Sequence, residues 1–88
     1  LLICWPPGHC HSKHYHPRAD ESWFILEGQV KVIFDDRPGM IAGPGNFLFA
    51  KKGTIHDMTA IGNEPLLMIV VVTPNEPDDE VKGSSEEE

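Results

Sequence analysis

Only two of the 88 residues are cysteine, too few for a disulfide framework. Cys4 and Cys10 are therefore expected as buried or free thiols in a reducing cytoplasm. Basic residues are scarce too: seven Lys and Arg stand against fourteen Asp and Glu, and without a basic patch no nucleic-acid partner is expected. No apolar run approaches the roughly 20 residues of a membrane span; "LLICW" stops at Pro6 and "LLMIVVV" is strand length. No signal peptide can be read, and the chain opens on Leu1 rather than Met, which leaves an N-terminal address open. Nor is there a window long enough for an amphipathic helix. Pro6-Pro7-Gly8, Pro17, Gly28, Arg37-Pro38-Gly39, Gly43-Pro44-Gly45, Gly53, Gly62-Asn63, Pro65 and Pro74 punctuate the chain at strand-length intervals.

What is present fits one small globular domain, with 40% hydrophobic and 24% charged residues. A domain of this size buries only about 60% of the surface its unfolded chain exposes. Extra stability from a metal or a second subunit is therefore expected. The net charge of -7 is unevenly spread. Residues 1–75 carry seven acids against six bases, whereas residues 76–88, "EPDDEVKGSSEEE", carry seven acids and one lysine. The organisation predicted is a folded unit over 1–75 and an acidic, disordered, solubilising tail over 76–88.

Between the turns lie short runs rich in β-branched and aromatic residues, at 1–5, 10–16, 21–27, 29–35, 46–50, 54–61 and 66–73. "QVKVIFDD" alternates in part, as a strand with one solvated face does, while "LLMIVVV" is apolar throughout and predicts a strand covered on both faces. "DDRPGM" reads as a hairpin turn. Seven or eight antiparallel strands without helices leave an all-β sandwich or a small barrel.

Four of the five histidines fall in "GHCHSKHYHPRADE", residues 8–21. Side chains two apart on a strand share a face, so His14 and His16 project together with Cα atoms about 6.6 Å apart. That separation lets two imidazoles converge on one metal at about 2.1 Å. Glu21 begins the next strand and can reach the same point. Gly28 ends that strand at a tight hairpin, where positive φ is wanted. His56, forty residues after His16, would supply a ligand from a distant strand, as a site inside a barrel requires. On an unbroken strand His9 and His11 face away from His14 and His16, and Cys10 shares the ligand face. If Glu21 points inward, Trp23 and Ile25 follow it and Met58 follows His56, making these, with Cys10, the candidate pocket lining. Lys51 and Lys52 read as a solvated pair that could also attract an acidic ligand.

These residues resemble a family. Gly8, His14, His16, Glu21 and Gly28 stand at the spacing of the first cupin motif, and Gly45, Lys51, Gly53 and His56 resemble the second, with Lys51 in place of the usual Pro and Ala60 where Asn is common. Neither departure is at a ligand position. The resemblance covers roughly residues 3–75 and implies a double-stranded β-helix (jelly-roll) barrel of six to eight strands with the metal inside. A set of three His and one Glu suits one divalent Fe, Mn, Ni, Zn, Co or Cu per chain, and leaves coordination positions open to a ligand. By resemblance, the expectation is a metalloenzyme of dioxygenase, isomerase or decarboxylase type acting on a small oxygenated molecule. The alternative is a non-catalytic binder in which the metal anchors a ligand or stabilises the fold. A homodimer is also expected, because Phe24 and Leu26 face outward opposite Glu21, "LLICW" is an apolar edge strand, and cupins commonly pair. No membrane partner is expected.

Overall fold

In the computed structural model, residues 1–74 and the backbone of Val81–Lys82 are described. Two antiparallel sheets face each other, and no helix occurs among the described residues. The first sheet has the order β1 (Leu2–Trp5), β8 (Leu66–Thr73), β3 (Asp20–Glu27), β6 (Phe47–Ala50). The second has the order β5 (Met40–Ala42), β4 (Gln29–Phe34), β7 (His56–Ile61), β2 (Cys10–Tyr15), β9 (Val81–Lys82). This is the all-β, double-stranded β-helix architecture, with sequential strands crossing between the sheets so that both line one interior.

The strands follow from alternation. In β4 and β6 every second residue is buried, which puts Val30, Val32, Leu48 and Ala50 inside. Together with Ile25, Met58, Leu66 and Met68 they form one contiguous core, each large member stabilising by roughly 1.5–3 kcal/mol on burial. The β4–β5 turn closes a hairpin that pairs Val32 with Met40, as "DDRPGM" predicts. Its short return strand β5 was not foreseen, because three residues beside Gly39 and Gly43 carry little periodic signal. Gly28 has φ +81°, and a Cβ there would run into the carbonyl of Pro65 and the Cα of Leu66. Both the backbone angle and the close approach of the β8 entry require glycine.

Three differences from the sequence reading matter. First, β8 is buried on one face only: Ile69 and Val71 lie exposed, although the run is apolar throughout. Second, β2 does not run unbroken. His11 pairs with Met58 and His14 with His56, so three steps on β2 oppose two on β7. This bulge reverses the facing of everything before it. Third, Val81–Lys82, within the segment read as a tail, forms β9 and pairs with Tyr15 and His14. The rest of the disordered tail expected over 76–88 lies outside the described residues.

Candidate metal centre

His14 on β2 and His56 on β7 are direct cross-strand partners, and their rings meet with centroids 4.3 Å apart. His16 follows two residues after His14, just past the strand end, and Glu21 enters from β3 in the opposing sheet. Glu21 Oε1 lies 2.8 Å from His16 Nε2 and 3.3 Å from His56 Nε2. One ligand atom from each of the four residues falls within 4.8 Å of all the others. Donors bound at about 2.1 Å to a common ion sit roughly 3–4 Å apart, so only a small contraction is needed to close on one. His14, Glu21 and His56 are buried and His16 is nearly so.

Second contacts aim the rings. His14 Nδ1 lies 2.7 Å from the carbonyl of Ser12, and His56 Nδ1 lies 3.1 Å from that of Thr54. A carbonyl can only accept, so in neutral imidazoles Nδ1 carries the proton and Nε2 turns its lone pair inward. His56 Nε2 is buried and makes no hydrogen bond of good geometry, despite the nearby carboxylate. A buried acceptor left in that state is costly unless a cation takes the lone pair. The donor set therefore fits a divalent transition metal.

Burial pushes the Glu21 carboxyl up, but without a metal, when the imidazoles carry a proton on Nε2 as well, hydrogen bonding and charge interaction with His16 and His56 outweigh it. They hold the group at about 2, below its ordinary 4.5. Glu21 is thus an anion at neutral pH, the form a cation needs.

The turn that delivers His56 is pinned in part by two aspartates, Asp20 and Asp35, that the sequence reading does not single out. Asp20 Oδ1 accepts from Lys52 N at 2.8 Å, and the carbonyl of His16 accepts from Gly53 N at 2.8 Å. Asp35, at φ +52°, accepts from Ile55 N on its Oδ1 at 3.1 Å and donates its own N–H to the Ile55 carbonyl at 2.6 Å. Lys51, standing where proline was expected, contributes its carbonyl to Thr54 N. Lone aspartates at strand ends carry no spacing signal, so nothing short of the fold would have found them.

Beside the four residues opens a cleft of about 280 Å³. Glu21 and Trp23 line its inner side, Ile3, Trp5, Met68 and Val70 give an apolar wall, and His9 and His11 a polar one. The two histidines expected to face away are here because of the β2 bulge. His11 stacks near His14 at 4.1 Å, and Trp5 covers His9 at 4.7 Å. The same register shift corrects Cys10: it is exposed on the outer face, where Thr59 Oγ1 donates to its sulfur at 3.4 Å. Of the other expected lining residues, Trp23 sets its ring edge against His56 at 5.0 Å. Ile25 and Met58 do point inward, but they are packed in the core rather than on the cleft wall. Lys51 and Lys52 are exposed.

The chain is similar to several known proteins. A family model of the cupin domain matches residues 1–72. Dimethylsulfoniopropionate lyase DddQ of Ruegeria pomeroyi is 30% identical over 70 residues, covering 80% of this chain and 34% of the relative. Its crystal structure superposes with a TM-score of 0.79 at 26% identity, over 97% of this chain and 43% of that one. The rhicadhesin receptor of Pisum sativum is 38% identical over 72 residues, covering 76% of this chain and 33% of the relative. A Klebsiella pneumoniae protein with a double-stranded beta-helix domain superposes with a TM-score of 0.84 at 21% identity, covering 96% of this chain and 72% of that one. The chain spans about a third of the length of the curated relatives it matches. With the domain model matched over nearly all its described residues, and the motif spacing in agreement, the chain belongs to the cupin family.

Proposed function

We propose that this chain is a small metal-dependent cupin enzyme. His14, His16, Glu21 and His56 hold one divalent transition metal, and the adjoining cleft takes a small oxygen-bearing molecule. The observation that carries this reading is the convergence of His16 Nε2 and His56 Nε2 on the Glu21 carboxylate, with a His14 nitrogen within 4.8 Å of the same atoms and Nδ1 of His14 and His56 beside backbone carbonyls. When bound, a divalent ion in such a nitrogen and oxygen set supplies Lewis acidity or, for a redox metal, activation of O₂.

The chain's own residues do the rest. Glu21 provides the negative charge that the imidazoles lack. Trp23 shields the His56 side from water, which strengthens every polar interaction there. Trp5, Ile3 and Val70 offer apolar contact to the body of a ligand, and His9 and His11 offer ring nitrogens to its oxygens. A cleft of about 280 Å³ is at the small end for ligand sites, which favours compact phenols, diketones or carboxylates over large substrates. The relative named for dimethylsulfoniopropionate lysis supports small-molecule chemistry on this fold. Both cysteines are exposed and free, which suits the reducing cytoplasm as the place of action.

A second reading, binding without turnover, draws on the relative named as a receptor. One experiment separates the two. Protein stripped with chelator is reloaded with Fe, Mn, Co, Ni, Cu or Zn and incubated with a panel of small oxygenated compounds. Turnover that disappears on stripping and returns with one metal supports the enzyme. Metal-dependent binding of a compound recovered unchanged supports the binder. Turnover indifferent to complete metal removal contradicts both.

A further inference from the structure

β9 (Val81–Lys82) lies beyond residues 1–72, the stretch that the family model matches, yet it pairs with the part of β2 that carries a metal-centre histidine. Register sets Lys82 opposite His14 and Val81 opposite Tyr15. His14 is at the same time the partner of His56 on β7, so one row crosses the sheet from His56 through His14 to Lys82. Antiparallel neighbours in such a row have Cα atoms about 4.5–5.5 Å apart.

On its β7 side this end of β2 is held sparsely. After the bulge, β7 pairs with His14, but among the described residues it has no register partner for Tyr15. The next fixed point is the His16 carbonyl, which accepts from Gly53 N at 2.8 Å. β9 supplies pairing between these two points, on the opposite edge of β2. A histidine whose main chain frays does not keep its ring aimed, and outer contacts of a metal ligand are worth 10–100-fold in affinity. The effect runs both ways, since an ion that fixes His14 also stiffens the edge on which β9 docks.

Charge acts in the same direction. Residues 76–88 carry seven acids and one lysine, with Asp78, Asp79 and Glu80 directly before Val81 in the sequence. A divalent ion held by neutral imidazoles and the single Glu21 carboxylate leaves the loaded centre net positive. An acidic segment docked on the His14 row is within the roughly 8–10 Å over which charges act at physiological salt.

We propose that β9 is a strap on the edge of β2 that positions His14 for the metal, and that metal loading in turn tightens the strap. The inference rests on the centre of His14, His16, Glu21 and His56 proposed above. Such coupling is reciprocal by linkage.

The test uses the full chain at about pH 8, where ordinary imidazoles are neutral and charge at the centre comes with the ion. Val81→Pro with Lys82→Pro removes the amide donors of β9. Val81→Thr with Lys82→Thr removes the same lysine charge but suits a strand. β9 ends its sheet and the core cluster comes from β3 to β8, so circular dichroism should be unchanged in both. Zn(II) affinity, read by competition with a chromophoric chelator, is expected to fall about tenfold in the proline variant and to hold in the threonine variant. In the wild type, Zn(II) should slow amide exchange at Tyr15 and Lys82 about tenfold while leaving the opposite sheet edge, β5, unchanged, because edge strands exchange through local opening. Equal affinity in wild type and proline variant, or a threonine variant as weak as the proline one, overturns the strap. Slowing that is equal at β5 and β9 overturns the reciprocal coupling. A wild type that binds no Zn(II) overturns the four-residue centre and the strap with it. A sedimenting mass that falls from two chains to one in the proline variant alone makes the strand a second copy's, and overturns docking within one chain.

Discussion

Glu21 is the one carboxylate among the four converging residues, and its removal has two separable effects. Glu21→Gln keeps the shape but loses the charge, and is expected to weaken metal binding by about 100-fold or more, since even outer contacts of a ligand are worth 10–100-fold. Competition with a chromophoric chelator measures this directly. In metal-free protein the folded state holds Glu21 at about 2 against an ordinary 4.5, so as pH falls the unfolded chain takes up this proton first. The stability Glu21 contributes is full above pH 4.5 and is lost as pH drops toward 2. Urea midpoints of metal-free wild type should accordingly fall more steeply across that window than those of Glu21→Gln. Parallel slopes would mean that the carboxylate has no net favourable partners.

At the scale of elements, the site depends on how β2 and the turn before β7 are built. Asp20→Ala removes the acceptor for Lys52 N, and Asp35→Ala removes that for Ile55 N. Each is expected to cost about 1–2 kcal/mol in urea denaturation. Each should also weaken metal binding, because the segment carrying His56 is released. Deleting Ser12 removes the extra residue of the β2 bulge. The prediction is that His11 keeps its inward face, now two positions before His14 on a regular strand, while metal affinity collapses, since Ser12 also supplies the carbonyl that orients His14. The same elements show what a sequence can and cannot reveal. His14, His16, Glu21 and His56 were legible because ligand geometry fixes their spacing, and the strands were legible because alternation and turn residues are local signals. His9, His11 and Cys10 were misplaced because a bulge is decided by pairing with β7, a non-local event that inverts the facing of all residues upstream. Asp20 and Asp35 were invisible for a related reason: their partners lie 32 and 20 residues away.

For the whole molecule, small size makes the metal a structural matter as well as a chemical one. A chain of 88 residues has a modest core, and an ion that binds only the folded form stabilises it by about 2.7 kcal/mol at a hundredfold excess over Kd. At roughly 4–8 °C per kcal/mol for a domain of this size, chelation should lower Tm by about 10–20 °C. A shift of that size in wild type and none in His56→Ala would tie stability to the site. Both tryptophans, Trp5 and Trp23, border the cleft, so quenching by a paramagnetic metal gives an optical reading of the same event. The most direct measurement is elemental analysis of untagged protein purified without chelators, beside His56→Ala of unchanged circular dichroism. Near one equivalent of a single transition metal in the wild type, lost in the variant, is the predicted result. Metal-free wild type that takes up none on reloading, or equal metal in both proteins, would contradict a centre built from His14, His16, Glu21 and His56.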